Sequence, residues 1–213
     1  MNLKILLIVP DLGLRTDQEI EWIQRTFHTE TLAGDVTPAR IFEHVTGEHY
    51  DVVHIGAHGN EEGIELSSGT MLSMFELQRL ARTVEAKLVY LNSCSSARLA
   101  QYMVDQGVPA VIATTYRIQD LTAWSVATAF YRWLASDTDF YRAYEAAKPS
   151  DGTVSFYSNG NFISRQIQPV LAELASSKAE RSQLRDQVRV LFYGQIGTWI
   201  LILIEGYLLL RGA

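Results

Sequence analysis

A chain of 213 residues, 47% hydrophobic and 20% charged, can form one domain with a substantial core and still carry an additional segment. Its net charge of -6 argues against a general nucleic-acid-binding protein, because there is no basic surplus to neutralise phosphate groups. The single cysteine excludes an internal disulfide, so nothing in the composition indicates an oxidising compartment.

The N-terminal segment predicts a buried strand followed by two helices. Residues 3–9 form an apolar run with one lysine, which is typical of a strand covered on both faces. The proline and aspartate that follow argue against a signal peptide, so the domain is expected to stay in the cytosol. Asp17 can cap the first helix, and Thr37 followed by Pro38 marks the start of the second.

Two central strands follow, and each ends in residues that can carry chemistry. The segment DVVHIG at 51–56 predicts a strand that runs into His58 and Gly59. The segment KLVYL at 87–91 predicts another strand, which leads to Cys94. We expect both strands to lie in the interior of a sheet, because their apolar runs are nearly continuous.

The segments between and after these strands complete an alternation of strands and helices. Residues 63–72 predict a small hairpin or loop, and Ser73 with Glu76 predicts a capping box for the next helix. Three further elements follow, which are a helix at 96–106, a strand at 110–113 and a helix at 122–134. This order indicates an α/β fold with a mostly parallel central sheet and helices on both faces.

The ends of the two central strands form the candidate site, because ligands of parallel sheets bind at the carboxyl edge. Cys94 offers a thiol just before a predicted helix N-terminus, which favours a thiolate, and His58 offers an imidazole base. Gly59 leaves a backbone N–H open to a developing oxyanion. The residues alone leave another interpretation open, since a lone cysteine is more often a small buried side chain and a histidine after a strand is more often structural. His54, inside its strand, is predicted to be either a core histidine or one that supports the site residues.

No cofactor and no metal site are expected. His54 and His58 are four residues apart, but a strand that runs into a loop does not bring both rings to one ion. The chain also has neither H-E-x-x-H nor a second cysteine. The glycine-rich motifs that cradle nucleotide phosphates are missing from the sequence, so no nucleotide is implied.

The runs VVHIGAHG at 52–59 and LVYLNSC at 88–94 resemble the CHAT family of caspase-like cysteine peptidases, which belongs to the clan of caspases, separases and gingipains. The resemblance covers roughly residues 3–147 and includes three further segments, at 4–27, 63–80 and 111–135. It implies a caspase-like three-layer sandwich with a mostly parallel central sheet. It also implies hydrolysis of peptide bonds in protein substrates by a His–Cys dyad, without a cofactor.

The same resemblance implies roles for individual residues. His58 corresponds to the family's general base and Cys94 to its nucleophile, and the N–H groups of Gly59 and Cys94 correspond to the oxyanion hole. Asp120 matches an aspartate that in the related separases meets a basic P1 side chain. Asp11, just past the first strand, is a second candidate for this substrate-binding role, and either residue implies cleavage after Arg or Lys. Asp120 is also a natural N-cap for the helix predicted to begin after it, so capping alone stays an open interpretation.

The predicted peptidase domain covers residues 1–150. Residues 151–168, including VSFYSNGNF at 154–162, are predicted to be a linker or a last irregular stretch of the domain. Residues 169–189 predict an amphipathic helix that begins at Pro169 and has only a weak heptad pattern.

Residues 190–210 are predicted to form a transmembrane helix. This stretch carries no charge before Glu205, and its 21 residues span about 31 Å as a helix, enough for a hydrocarbon core of about 30 Å. Residues 178–189 contain four Lys and Arg side chains, and only Arg211 follows the span. The positive-inside rule therefore puts the peptidase domain in the cytosol. The family resemblance implies that the membrane is a prokaryotic inner membrane. The alternative is an apolar helix that packs on the domain or on a partner.

Together these features predict a membrane-tethered cysteine endopeptidase whose activity is controlled by a partner protein or by self-association through residues 169–210. The resemblance also implies a role in prokaryotic defence, including antiviral defence, or in cell death. The alternative function is a non-catalytic membrane effector or scaffold, in which the CHAT-like domain senses a partner and the C-terminal helices assemble in the bilayer. Replacing Cys94 by alanine separates the two functions, because only the peptidase depends on the thiol.

Overall fold

The computed structural model describes residues 3–10, 12, 17–67 and 69–159. Asp11 and the predicted helices at 169–189 and 190–210 lie outside these ranges. None of the helices within the ranges is both long and apolar enough to cross a membrane. The elements are, in chain order, β1 (Lys4–Pro10), α1 (Asp17–Thr26), β2 (His28–Gly34), α2 (Pro38–His44), β3 (Val52–Gly56), β4 (Gly63–Ser67), β5 (Thr70–Ser73), α3 (Met74–Thr83), β6 (Leu88–Asn92), α4 (Ala97–Asp105), β7 (Ala110–Thr114), α5 (Asp120–Ser136), α6 (Phe140–Ala147) and β8 (Val154–Ser158).

The central sheet has the strand order β2-β1-β3-β6-β7-β8. The first five of these strands run parallel, and β8 is antiparallel to β7 at the edge. β4 and β5 pair separately as an antiparallel hairpin, in the segment where the sequence predicts a hairpin or loop. The predicted α/β class and the mostly parallel central sheet are therefore confirmed.

Helices cover both faces of the central sheet. In β1, Leu6 and Ile8 pack into one hydrophobic cluster and Ile5 and Leu7 into another, because successive side chains of a strand enter opposite faces. All four side chains are fully buried, and each burial contributes about 1.5–3 kcal/mol of stability. The first cluster includes residues of α2, α3 and α4, and the second includes residues of α1, α5 and α6. The domain therefore has three layers, with the sheet in the middle.

Two helices begin at the capping residues that the sequence predicts. At α3, the Glu76 N–H donates to the Ser73 hydroxyl at 3.4 Å, and the Ser73 N–H donates to the Glu76 carboxylate at 2.8 Å, which completes a capping box. At α2, the Thr37 side chain caps the helix and Pro38 occupies the first turn. A cap of this kind stabilises a protein by about 1 kcal/mol.

The two edge strands of the sheet differ from the prediction. β2 has no counterpart in the prediction, because its sequence HTETLAG is largely polar and only Leu32 in it is buried. The irregular stretch or linker predicted at 154–162 begins instead with β8, whose residues pair with β7 and extend the sheet past residue 150. Both β2 and β8 are held by hydrogen bonds to the neighbouring strand, and a pattern of apolar residues contributes little to either strand.

Candidate active site

The two candidate catalytic residues follow adjacent strands of the sheet. β3 and β6 are parallel neighbours, and their register places Gly56 opposite Asn92. His58 lies two residues past Gly56, and Cys94 lies two residues past Asn92. Adjacent strands are about 4.8 Å apart. Both residues therefore leave the sheet at the same level of its carboxyl edge, in neighbouring loops.

The loops that carry these two residues are packed against each other. A Cβ added to Gly59 would lie 3.0 Å from the Cβ of Ser93 and 2.9 Å from Cδ1 of Ile64. Such separations are too short for carbon atoms in van der Waals contact, which prefer about 3.5–4.0 Å. A larger residue at this position would have to displace Ser93 and the end of the Ile64 side chain, because the residue after the histidine packs directly on the residue before the cysteine.

The backbone N–H of Gly59 is left unused by the β-ladder that holds it. Gly59 forms an antiparallel bridge with Ile64 of the hairpin. The hydrogen bonds of this bridge belong to its neighbours: the Glu65 N–H donates to the His58 carbonyl at 2.9 Å, and the N–H of the asparagine after Gly59 donates across the hairpin at 3.0 Å. In a non-hydrogen-bonded pair of this type, the N–H points away from the partner strand. The Gly59 N–H therefore points away from β4.

A tight turn carries Cys94 from β6 towards α4. Ser95 has a φ of 50°, in the left-handed region that costs a non-glycine residue about 1–3 kcal/mol. The loop after β7 holds this turn: the Ser95 N–H donates to the Tyr116 carbonyl at 3.3 Å, and the Cys94 Sγ lies 3.7 Å from the Ile118 carbonyl oxygen. The thiol is half-buried, and α4 begins three residues after it. The strand-to-helix turn thus presents the sulfur at the carboxyl edge with a helix N-terminus beside it.

Sequence reasoning missed two residues that support this turn. Ser96 and Thr114 are buried, and both hydroxyl groups donate to the backbone carbonyl of Ser93. Ser96 directly precedes α4 and Thr114 ends β7, so the two come together only in the folded sheet. In the sequence, Ser96 and Thr114 stand out only as small hydroxyl residues, one near the cysteine and one at a strand end. Such residues are common in loops of every kind.

The two histidines near β3 have opposite surroundings. His54 is buried, its Nδ1 lies 3.1 Å from the Tyr131 hydroxyl, and its ring centroid is 5.0 Å from that of Tyr90. This confirms the predicted core histidine. His58 is exposed, and its ring has no hydrogen bond or ion pair within the described part of the chain. Across the same residues, no group of three or more His, Cys, Asp or Glu side chains could hold a metal ion.

Asp120 is exposed at the start of α5, after the loop that contacts the candidate nucleophile. It is the first residue of α5, and Gln119 occupies the N-cap position, so the prediction that Asp120 caps this helix is wrong. In the first turn its charge interacts favourably with the helix dipole instead. Asp120 lies two residues after Ile118, whose carbonyl contacts the Cys94 sulfur. The other candidate for substrate binding, Asp11, lies outside the described residues.

Comparisons with known proteins connect this geometry to a family. The family model described as the CHAT domain matches residues 6–150. A solved structure, the complex of the Porphyromonas gingivalis RgpB pro- and mature domains, is similar with a TM-score of 0.45 and 13% sequence identity. That alignment covers 62% of this chain and 37% of the RgpB chain, so this chain spans little more than a third of its length. No curated protein sequence matches the chain. Because the family match extends over more than half of its residues, the chain belongs to the CHAT domain family.

Proposed function

We propose that the chain is a caspase-like cysteine peptidase in which Cys94 is the nucleophile and His58 is the general base. The observation that carries the proposal is the register of β3 and β6, which starts the two loops at the same level of one sheet edge. The packing of Gly59 on Ser93 supports it, because it keeps the two loops in contact. Membership of the CHAT domain family supports the same reaction class.

The reaction needs only the two side chains, two backbone N–H groups and water. His58 takes the proton of the Cys94 thiol, and the thiolate attacks the scissile carbonyl carbon to form a C–S bond. The C–N bond then breaks, and the leaving amine takes the proton from the imidazolium of His58. In the second half, His58 takes a proton from water, and the resulting hydroxide attacks the thioester. The C–S bond breaks, the carboxylic acid product leaves, and the proton returns from His58 to Cys94.

The oxyanion of each tetrahedral intermediate is proposed to bind the N–H groups of Gly59 and Cys94. The N–H of Gly59 supports this role because it points away from β4, and a donor that is committed to a ladder could not bind a developing charge. Such donors act at a fixed position and need no reorganisation during the reaction. Removal of one oxyanion donor typically lowers kcat by about 10²–10³-fold.

The decisive experiment compares Cys94→Ala, His58→Ala and the wild-type full chain in hydrolysis of fluorogenic peptides with Arg or Lys at P1. We expect both variants to lose at least about 10³-fold in kcat/KM, since each removes a reacting group. His49→Ala is the matched control, because His49 is an exposed histidine that forms an ion pair with the exposed Glu85. Wild-type hydrolysis by Cys94→Ala would refute Cys94 as the nucleophile. Full biological activity of Cys94→Ala would favour the non-catalytic effector.

A second measurement does not depend on finding the substrate. The chain has a single cysteine, so iodoacetamide reports on Cys94 alone. If His58 withdraws the thiol proton, alkylation of the wild type at neutral pH should be faster than alkylation of His58→Ala. Equal alkylation rates in the two proteins would argue against the dyad.

Asp120 is proposed to bind a basic P1 side chain, and Asp11 is the second candidate. The position of Asp120, two residues from the carbonyl that contacts the Cys94 sulfur, supports this preference. We expect Asp120→Asn to lower kcat/KM for substrates with Arg at P1 by about tenfold or more, because a charge-assisted contact is lost. Asp105→Asn, at the far end of α4, is the control. Unchanged P1 preference in Asp120→Asn would remove Asp120 from this role.

The peptidase is further proposed to be tethered to the inner face of a prokaryotic membrane by residues 190–210, and to act in defence or cell death. The apolar composition of this stretch and the basic residues before it support the tether. We expect the full chain to stay in the membrane pellet after a carbonate wash. Ile200→Arg should release much of the protein, because a central arginine costs about 2.5–3.5 kcal/mol in insertion. A wild-type chain found in the soluble fraction would refute the tether.

Activation is proposed to involve self-association through residues 169–210 or a partner protein. A tethered peptidase of this kind should gain activity when its surface density in liposomes rises, because clustering increases the effective concentration of neighbouring copies. Activity per molecule that stays constant with density would favour a partner protein as the activating signal.

A further inference from the structure

The carbonyl oxygen of Ser93 is held from two directions by buried hydroxyl groups. The Ser96 hydroxyl donates to it at 2.9 Å, and the Thr114 hydroxyl donates to it as well. The Thr114 N–H donates in turn to the Ser96 Oγ at 3.2 Å, which closes a small ring of hydrogen bonds. All three residues are at most 3% exposed. Neither water nor a rotamer change can easily release this carbonyl.

The direction of this carbonyl determines the direction of the Cys94 N–H. The Ser93 carbonyl and the Cys94 N–H belong to one planar trans peptide bond, so they lie in the same plane and point in opposite directions. A carbonyl that accepts two hydrogen bonds also polarises its amide, which makes the N–H a stronger donor. Hydroxyl groups on one side of the peptide thus set the aim and the strength of the donor on the other side.

From this geometry we propose that Ser96 and Thr114 are positioning residues that aim the Cys94 N–H at the oxyanion. The inference rests on the proposed function, since it assigns the two hydroxyl groups to the oxyanion hole of that reaction. They do not touch the substrate. They act through the Ser93–Cys94 peptide group. They fix its orientation just before Ser95, which has a left-handed backbone conformation.

A purely structural role for these hydroxyl groups predicts a different pattern of effects. If they served only to satisfy a buried carbonyl, their loss would lower the stability and leave the chemical step of the folded fraction intact. If they aim the oxyanion donor, their loss lowers kcat at unchanged KM, because the oxyanion exists in the tetrahedral transition state and not in the bound substrate.

The experiment uses Thr114→Val and Ser96→Ala in the full chain. Thr114→Val keeps the shape of the side chain and the N–H that donates to Ser96, and removes only the hydroxyl. We expect kcat to fall about tenfold in each variant, the equivalent of one hydrogen bond, with KM unchanged. Thr114→Ser should restore kcat, since it returns the hydroxyl. Thr128→Val is the control, because the buried hydroxyl of Thr128 has no hydrogen-bond partner among the described residues.

Two chemical probes separate the oxyanion from the thiol. A peptide ending in argininal adds the Cys94 thiol across its aldehyde, so that a C–S bond forms and the former carbonyl oxygen occupies the oxyanion hole. Its affinity should fall about tenfold in Thr114→Val, in parallel with kcat. Alkylation by iodoacetamide displaces iodide and develops no oxyanion, so its rate should stay at the wild-type value. An equal loss in both probes would overturn the inference and would assign the hydroxyl groups to the thiol itself.

The failure of this inference is distinguishable from failure of the proposed function. Loss of turnover in Cys94→Ala together with wild-type kcat in Thr114→Val and Ser96→Ala would overturn the positioning role alone. If Cys94→Ala retained wild-type turnover, the proposed function would be refuted. The effect of the hydroxyl groups on the Ser93–Cys94 peptide group can still be measured by NMR. Labelling with ¹⁵N-cysteine gives one amide signal, because the chain has one cysteine. A signal that does not move in Thr114→Val would overturn the coupling between the hydroxyl groups and the Cys94 N–H.

Discussion

The parallel strands of the central sheet begin at an amino edge and end at a carboxyl edge. These two edges differ in how their polar side chains are paired. At the amino edge, Lys4 contacts Glu30 at 2.8 Å and Glu48 at 2.7 Å, and the Tyr50 hydroxyl donates to Glu30 at 2.6 Å. At the carboxyl edge, the His58 ring has no hydrogen-bond partner among the residues that the structure describes, and the thiol meets only a backbone carbonyl. Groups that bind one another contribute to stability, whereas groups without a partner remain available to a substrate. The amino edge therefore contributes polar pairs to stability, whereas the carboxyl edge holds the groups that the proposed reaction needs.

The largest effect is expected at the carboxyl edge, from Gly59→Ala. The new Cβ would press on Ser93 and Ile64 and would displace both the His58 loop and the Gly59 N–H. We expect peptide hydrolysis to fall by at least about a hundredfold, as for removal of an oxyanion donor. Gly47→Ala is the control: its φ of +81° makes alanine strained there, but nothing lies within 4 Å of the added Cβ. Wild-type kcat/KM in Gly59→Ala would contradict a role for the packing of Gly59 on Ser93 in the proposed activity.

The corresponding substitution at the amino edge, Tyr50→Phe, should change stability and leave activity alone. The Tyr50 side chain is buried and its hydroxyl donates to the Glu30 carboxylate, so we expect a loss of about 1–2 kcal/mol in the free energy of unfolding. Urea unfolding measures this loss, and kcat/KM should equal that of the wild type. Tyr141→Phe, at a tyrosine that is 41% exposed, is the matched control. Activity that falls without a change in stability would contradict a purely structural amino edge.

A smaller effect is expected on the pH dependence of stability. Hydrogen bonds from Lys4 and then from Tyr50 hold the pKa of Glu30 below its usual value of 4.5. Because the pKa is lower in the folded state, the stabilisation is present above about pH 4.5 and is lost as the pH falls through the folded-state pKa. The unfolding free energy of the wild type should therefore fall more steeply below about pH 5 than that of Glu30→Gln. Parallel curves for the two proteins would show that Glu30 adds nothing to acid stability.

The smallest effect is expected from the ion pair that spans the candidate site. Glu61 in the His58 loop lies 3.7 Å from Arg98 in α4, and both side chains are more than 60% exposed. Exposed pairs of this kind contribute about 0–1 kcal/mol, so Glu61→Gln should change the unfolding free energy by less than about 0.5 kcal/mol. A larger loss, measured by urea unfolding, would mean that the carboxyl edge also depends on charge pairing.

The interior of the sheet and the candidate dyad are predictable because their signals are local. The apolar runs of β1, β3 and β6 are buried on both faces and stand out in the sequence. His58 and Cys94 follow two of these runs directly, so their placement at one edge requires only that the strands be parallel neighbours. The edge strands β2 and β8 carry no such run, and the sequence alone does not reveal them.

The supporting contacts of the site depend on partners that are distant in the sequence. Thr114 is 21 residues from Ser93 and 18 residues from Ser96, and only the register between β6, α4 and β7 brings their polar atoms together. α5 begins two residues before the predicted start at 122, because Asp120 and Leu121 are both compatible with the end of a loop and the beginning of a helix. Residue type indicates a helix start, but tertiary contacts decide which residue comes first.

The turn around Cys94 has a consequence for when the proposed activity could appear during synthesis. The Ser95 N–H and the Cys94 sulfur contact the carbonyls of Tyr116 and Ile118, which leave the ribosome later than His58 and Cys94. A nascent chain that has only just exposed residue 94 therefore contains His58 and Cys94 without an aligned thiol. Non-local contacts of this kind form slowly, because long loops must close first. We expect proteolytic competence to appear only once β7 has joined the sheet, so that translation itself delays cleavage until the domain is nearly complete.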